Sequence, residues 1–195
     1  MKLFVILLIT LFNQSSFADI IDDGSAISNA SNTISFSELG LSDGTVVTDQ
    51  YEGVTFSPFL EQTGCCGPAD GIDNAALGGF GSNQFTMYFD TVLSAASFNF
   101  IMEHPGETTF TAFFDDQEVE SFTTPTHYTA FGESSGTIYG FENILFNSIQ
   151  VSLSENHRVV LDNLSMRTAQ NAPSSHSLMT ILGLGLMLGA FRRKK

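Results

Sequence analysis

Few residues in this sequence have the types and spacing that local catalytic or metal-binding motifs need. The four histidines, at positions 104, 127, 157 and 176, lack the His-x-x-x-His spacing of a zinc-binding helix. Residues 132–136 match the letters of the Gly-x-Ser-x-Gly nucleophile elbow. That motif needs a strand, a sharp turn and a helix, whereas both flanking segments here predict strands. We therefore assign no catalytic residue and predict a protein that is not an enzyme.

A cluster of acidic residues has a plain structural explanation. Asp115, Asp116, Glu118 and Glu120 fall in a predicted hairpin, where like charges keep an exposed strand edge from pairing with other chains. Glycoside hydrolysis would need two carboxylates at a defined separation across a cleft, which a sequence does not specify. The cluster therefore favours a solvated hairpin over an acid–base pair.

Cys65 and Cys66 are the only cysteines, and they are adjacent. They lie in residues 61–83, a Gly-rich stretch without alternation that predicts a long loop. A disulfide within the chain would have to join these neighbours in a strained ring, which an oxidising compartment permits. A reduced pair and a bridge to a second chain stay open as alternatives, and the lack of Cys-x-x-Cys spacing argues against redox catalysis.

The charge distribution excludes one class of partner. The 195 residues carry 21 acidic and 7 basic side chains, a net charge of −14. Five of the bases lie at the two ends, so residues 19–191 hold 2 bases and 21 acids, a net −19. Binding to nucleic acid needs clustered Lys and Arg, and we therefore predict no nucleic-acid partner. Bound cations or external salt would reduce the repulsion within such a body.

The N-terminus has the three regions of a secretory signal peptide. Lys2 precedes an apolar run at residues 3–12, polar residues follow, and Ser16 and Ala18 are the small residues that a signal peptidase recognises. We predict a signal peptide over residues 1–18, cleavage after Ala18, and export through the secretory pathway.

The C-terminus has the features of a short membrane anchor. Residues 178–191 are uncharged and rich in Leu and Gly, and Arg192, Arg193 and two lysines follow at once. As a helix this segment reaches about 21 Å across a hydrocarbon core of about 30 Å, and snorkelling basic side chains extend the reach. We predict a transmembrane helix over residues 178–191, which makes the inner membrane a partner, and a basic cytoplasmic tail over residues 192–195.

The region between these ends predicts an all-β body. Apolar and polar residues alternate along residues 85–90, 96–103 and 110–114, and turn-forming residues separate the segments. Many short strands without crossover helices favour an antiparallel β-sandwich of jelly-roll type over residues 31–168. The 19 Phe suit the core between two sheets, whereas the absence of Trp weighs against an aromatic sugar-binding face. Further strands are predicted at residues 33–36, 45–48, 53–57, 117–122, 127–131, 137–141, 144–153 and 158–166.

The tail resembles the sorting signal of PEP-CTERM exported proteins. Residues 169–177 form a linker in which Pro173 follows an alanine, and the Gly/Leu-rich helix and the cluster with Arg192 and Arg193 come next. An Ala-Pro variant stands in place of the usual Pro-Glu-Pro motif. The resemblance implies processing by an exosortase-type enzyme and delivery to the cell surface or extracellular matrix of a Gram-negative cell.

The body is similar to other exported domains of that family. The likeness lies in residues 34–39 and 46–56, which match their first strands, and in residues 146–149 and 160–164, which match their last two. Those domains look like carbohydrate-binding modules and galactose-binding-like jelly rolls.

This resemblance implies a structural calcium site between the first and last strands. Glu38 and Asp162 occupy the places from which a carboxylate of each strand holds the ion in such jelly rolls. Ca²⁺ takes six to eight oxygen ligands, so backbone carbonyls, Asn163 or water would complete the shell. The alternatives are that Asp162 and Asn163 support only a local turn and that Glu38 caps a loop.

We therefore expect an exported, non-enzymatic β-sandwich at the cell surface or in the extracellular matrix, associated with polysaccharide or envelope components. A specific carbohydrate-binding module, with exposed tyrosines and the loop at residues 61–83 forming its site, is the first alternative. A jelly-roll glycoside hydrolase or lyase is the second.

Overall fold

The computed structural model describes residues 18–64, 76–79, 82–102, 105–126, 137–155 and 158–169. These residues form antiparallel strands and contain no helix, which confirms the predicted all-β antiparallel class. The described residues accordingly include no helix that could cross a membrane. The strands are β1 (Asp19–Ile21), β2 (Asn32–Ile34), β3 (Val46–Val47), β4 (Val54–Ser57), β5 (Leu60–Thr63), β6 (Ala76–Gly79), β7 (Gln84–Met102), β8 (Gly106–Phe114), β9 (Gln117–Thr126), β10 (Thr137–Leu153) and β11 (Val159–Thr168).

Two long strands, β7 and β10, run through both layers of the body. The front sheet consists of β4, the first half of β7, the second half of β10, β8 and β9, paired in that order. In the back sheet, β11 lies beside the second half of β7, whose other edge pairs with the first half of β10 and then β1. The free edge of β11 pairs with β2 and with β6, and β5 and β3 follow β6.

The continuity of these strands differs from the prediction of separate short strands. The sequence predicts a break between residues 90 and 96 and another between 141 and 144, but β7 and β10 continue through both. In β10 the register with β7 shifts twice between Glu142 and Ser148, and Asn143 has a φ of 62°. Such irregularities bend a strand without ending it, because the neighbouring hydrogen bonds resume after the bulge.

The core lies between the two sheets and consists largely of aromatic rings. Phe110 of β8 contacts Phe98 and Phe100 of β7 with centroid distances of 5.8 and 5.5 Å, and it stacks on Tyr139 of β10 at 4.9 Å. Phe122 of β9 meets Phe141 of β10 at 5.3 Å. Front-sheet rings thus pack on back-sheet rings, as in a sandwich, and each buried ring contributes about 1.5–3 kcal/mol relative to an exposed one.

The predicted loop at residues 61–83 is wrong in part, because it contains most of β5 and all of β6. Strand β6 reads Ala-Leu-Gly-Gly, which has neither alternation nor β-branched residues to mark it. Its pairing with β5 and β11, together with the burial of Ala76 and Leu77, holds it in place. Cys65 and Cys66 lie outside the described residues, as do Pro173, Arg192, Arg193 and the predicted anchor.

Strand β1 comes directly after the predicted cleavage point. Ala18 is partly buried against the main core, and β1 starts at the next residue. The sheet therefore takes in residues ahead of position 31, where the sequence places the start of the domain. β1 pairs with the first half of β10, and the Asn143 side chain donates to the Asp19 carboxylate at 2.6 Å.

Candidate functional site

Two regions of the described structure are candidates for ligand binding, and the first is a group of polar side chains around the buried Tyr51. Asp162, on β11, is fully buried, and its Oδ1 accepts a hydrogen bond from the backbone N–H of Asn163 at 2.7 Å. Asn163 has a φ of 49° and lies where the register of β11 with β7 shifts. The bulge thus turns the backbone beside Asp162, which matches the local-turn alternative considered from the sequence.

The hydroxyl of Tyr51 is held in the interior by two hydrogen bonds. It donates to the carbonyl oxygen of Phe36 at 2.5 Å and to Oε1 of Gln62 at 3.0 Å. Burial, followed by the negative charges of Glu38 and Asp162, raises the pKa of Tyr51 from 10.0 to about 12. The hydroxyl therefore remains protonated and a donor at neutral pH.

The residues around Tyr51 fit an oxygen-ligated cation in their chemistry. Carboxylate, carbonyl and amide oxygens are the ligands that Ca²⁺ prefers, and all three kinds occur at Glu38, Phe36 and Gln62. Among the described residues no group of three or more His, Cys, Asp or Glu side chains could hold a metal ion. Calcium here would therefore depend on neutral oxygens in addition to the two carboxylates, and it stays a prediction.

Glu38 is placed where it could serve either role. It is exposed, and its Oε1 accepts a hydrogen bond from the backbone N–H of Ser35 at 3.1 Å, as a loop cap would. It also lines an open groove of about 510 Å³ together with Leu39, Tyr51 and Glu52. An ion bound beside Tyr51 could be reached by solvent through this groove.

If calcium is structural, EDTA should lower the melting temperature of the purified protein. A ligand that binds only the folded state stabilises it by about 2.7 kcal/mol at 100 times its Kd, which corresponds to roughly 5 °C or more for a body of this size. Glu38→Gln should abolish the EDTA effect. Glu52→Gln, an acidic residue of the same groove, is the matched control and should keep it. An unchanged melting temperature on chelation would exclude a stabilising calcium.

The second region is the outward surface of the front sheet, which we call the Tyr88 face. Phe85, Met87 and Phe89 of β7 point into the core, so Tyr88 points outward from the strand between them. Register places fourteen side chains on this face in three rows across the strands, and Glu118 is their charged member. The rows are Thr55, Tyr88, Ser148, Phe113 and Glu118; Ser57, Thr86, Gln150, Thr111 and Ser121; and Gln84, Ser152, Thr109 and Thr123.

Hydroxyl groups on this face are held in pairs. The Oγ1 atoms of Thr109 and Thr123 are 2.8 Å apart, and Oγ1 of Thr111 lies 3.1 Å from Oγ of Ser121. Cross-strand hydroxyl pairs of this kind fix side-chain rotamers on a sheet surface. The face therefore presents ordered hydrogen-bonding groups rather than mobile ones.

Tyr88 is the exposed member of the three tyrosines that the structure describes. Its exposed fraction is 46%, against 4% for Tyr51 and 2% for Tyr139. Tyr128 lies outside the described residues. The exposed tyrosines that the sequence suggests for a carbohydrate site are thus represented here by Tyr88, and buried Tyr51 and Tyr139 belong to the interior.

A small cleft separates Tyr88 from Phe113 on this face. It measures about 120 Å³ and is lined by Thr86, Tyr88, Phe113, Asp116, Ser148 and Gln150. Ser148 lies between the two aromatic residues in register, so its small side chain leaves the space between the rings open. The cleft therefore has aromatic walls and a floor of hydroxyl and amide groups.

The hairpin between β8 and β9 places Asp116 at this cleft. Asp115 and Asp116 have φ values of 48° and 62°, as the two central residues of a type I′ turn require. The Asn147 side chain accepts from the Asp115 backbone at 3.2 Å and donates to its carboxylate at 3.0 Å. The predicted hairpin is confirmed, and one of its acidic residues lines the cleft.

Sequence reasoning missed Phe113. Alternation along β8 predicts Phe110, Ala112 and Phe114 as the inward set, but Phe114 is only partly buried. The same alternation turns Phe113 to the outer face, where it lines the cleft. Its cross-strand neighbours depend on strand register, which the residues of β8 alone do not specify.

Arg167 holds the back sheet together. It forms an ion pair with Glu142 across β7 at 2.7 Å, and it donates to Oγ of Ser94 at 3.2 Å and to the carbonyl of Ser28 at 3.3 Å. These contacts tie the connection between β1 and β2 to the sheet. The arrangement accounts for Arg167 structurally, on the side of the sandwich opposite to the Tyr88 face.

Comparison with known proteins finds no matching family profile and no matching curated protein. Among solved structures, the catalytic domain of a GH87 alpha-1,3-glucanase in complex with tetrasaccharides overlaps 66% of this chain and 29% of its own length, with 9% identity and a TM-score of 0.37. Apo BiXyn10A CBM1 overlaps 73% of this chain and 100% of its own, with 10% identity and a TM-score of 0.37. A mutant of CBM29-2, a family 29 carbohydrate binding module, overlaps 78% and 92%, with 13% identity and a TM-score of 0.32. The chain thus spans less than a third of the glucanase domain, and overlaps of this quality assign neither a fold family nor a ligand.

Proposed function

We propose that this chain is an exported, non-enzymatic β-sandwich protein that associates with polysaccharide at the cell surface or in the extracellular matrix. The observation that carries the proposal is the Tyr88 face, whose three rows of mostly uncharged polar side chains include an exposed aromatic ring. Export is supported by the predicted signal peptide and by the tail that resembles a PEP-CTERM sorting signal.

The chemistry of the Tyr88 face matches that of a sugar chain. Polysaccharides present many neutral hydroxyl groups, each of which donates and accepts hydrogen bonds, as the Ser, Thr and Gln side chains of the face do. Sugar rings also present apolar C–H surfaces, which pack on an aromatic ring. A protein partner would instead favour a face with an apolar, well-packed centre.

Binding is favoured over hydrolysis by the distribution of carboxylates. Glycoside hydrolases need two carboxyl groups on opposite sides of the scissile bond. Among the described residues, Asp116 is the carboxylate that lines the cleft, and Glu118 and Asp90 lie on the same face outside its lining. The alternative of a jelly-roll hydrolase or lyase would need a second acidic or a basic residue facing Asp116.

Co-sedimentation with insoluble polysaccharides tests the proposal. The full chain in mild detergent should bind at least one member of a panel of glucans, xylans, mannans and galactans in a saturable manner, without release of reducing sugar. An unrelated acidic protein of similar net charge, treated in the same detergent, is the control. Failure to bind every polysaccharide of the panel would reject the function, and release of oligosaccharides would instead favour the enzyme.

A further inference from the structure

We infer that the cleft between Tyr88 and Phe113 holds one ring of a neutral polysaccharide and that the face rejects acidic polysaccharides. The inference rests on the proposed function and adds to it the ligand class and the residues that select it. It follows from three features of the Tyr88 face: the spacing of the two aromatic residues, the polar floor between them, and the charges around them.

The spacing of the aromatic walls suits a single sugar ring. Tyr88 and Phe113 lie in one row, separated by Ser148, so their strands are two spacings apart, about 9.5 Å. Carbon atoms make their best van der Waals contact at about 3.5–4.0 Å. A ring seated midway can therefore approach both aromatic side chains with its two apolar faces at once.

The floor of the cleft provides hydrogen bonds where that ring has its hydroxyl groups. Thr86 and Ser148 are almost completely buried at the bottom, and Gln150 is partly exposed beside them. Asp116 at the rim accepts hydrogen bonds from hydroxyl groups but donates none when ionised. A polysaccharide held between Tyr88 and Phe113 would continue along the strand direction, over Thr86 and Gln150.

The charges around the cleft select a neutral ligand. Asp116 lines the cleft, Glu118 pairs with Phe113 across β8 and β9, and Asp90 follows Tyr88 on the same face of β7. The sequence has no Lys or Arg between Lys2 and Arg158. Arg158 lies beside Thr63, and Arg167 is paired with Glu142, both on back-sheet elements. A carboxylated or sulfated sugar would therefore meet repulsion at the cleft without a cation to offset it.

Affinity electrophoresis of the full chain in mild detergent, in buffer without added divalent ions, tests the inference. Neutral probes are laminarin, xylan and galactomannan, and acidic probes are polygalacturonate and alginate, all at low salt. We expect retardation by at least one neutral probe and none by the acidic ones. Tyr88→Ala and Phe113→Ala should each weaken neutral binding at least tenfold, since each removes one aromatic wall of the cleft.

Phe59→Ala is the matched control, because Phe59 is exposed to a similar extent, 50%, but lies in the connection between β4 and β5. It should leave binding unchanged. If Tyr88→Ala does not fold, Tyr88→Thr keeps a good strand former at that position and should show the same loss.

The outcomes distinguish failure of the inference from failure of the proposed function. Retardation by the acidic probes, or neutral binding that survives both cleft substitutions, overturns the inference and leaves polysaccharide association intact. An absence of retardation by every probe overturns the proposed function together with the inference. Neutral binding lost in both cleft variants and kept in Phe59→Ala supports both.

Discussion

Replacing Gly140 with alanine is expected to destabilise the protein more than the same change at any other glycine that the structure describes. A Cβ at this position of β10 would collide with the backbone carbonyl oxygen of Ala96 and would lie 2.8 Å from the Cα of Ser97. These atoms belong to the adjacent strand β7, so no side-chain rotation can relieve the contact. We expect a loss of about 3 kcal/mol or more, at or above the upper end for overpacked cores. Urea denaturation measures it.

Gly79→Ala is the control for this prediction. Gly79 also lies in a strand, but a Cβ there would meet only the side-chain ends of Val159, at 3.1 Å, and Leu60, at 3.4 Å. Small rotations of those side chains can absorb the added methyl group, so the loss should stay well below that of Gly140→Ala. Equal stability of the two variants would show that β7 and β10 do not approach each other as described.

Deleting residues 178–195 is expected to move the protein from the membrane fraction into the medium. The predicted anchor and its basic cluster are the segments that would retain the chain at the inner membrane. Immunoblots of membrane, surface and culture supernatant would measure the redistribution. A membrane-bound pool that stays unchanged would contradict the predicted role of the tail.

A helix exchange separates sorting from simple anchoring. If residues 178–191 are replaced by an unrelated transmembrane helix of full spanning length, a plain anchor leaves the distribution as in the wild type. A sorting signal read by an exosortase-type enzyme instead leaves the exchanged protein in the membrane while the wild type reaches the surface or matrix. Pro173→Ala in the wild-type tail tests whether the Ala-Pro motif takes part.

The strands that could be predicted from the sequence are those in which one face is buried and the other is exposed to solvent. Strands β8, β9 and β11 follow the predicted segments to within a few residues, because alternation with period two survives along them. The outward position of Tyr88 was predicted in the same way, and its 46% exposure confirms it. Strand β6 was not predicted, because its pairing with β5 and β11, rather than its own residues, makes it a strand.

Only the part of the candidate sites that depends on the order of the strands in the chain could be predicted from the sequence. The calcium site at Glu38 and Asp162 stays a prediction; the structure shows that β2, which precedes Glu38, pairs with β11, which carries Asp162. The partner of Tyr88 could not be foreseen, because the alignment of Phe113 with Tyr88 across Ser148 depends on the register of three strands from distant parts of the chain. Alternation along one strand gives the face on which a residue lies but not its neighbours on the adjacent strands.

Because β7 and β10 run through both sheets, the two sheets should unfold together. Both sheets depend on hydrogen bonds to these two strands. One sheet therefore cannot unfold while the other stays intact. Amide hydrogens of β7 and β10 should therefore exchange with deuterium at one common slow rate set by global unfolding, whereas β1 and β3, each paired along a single edge, should exchange by local fraying.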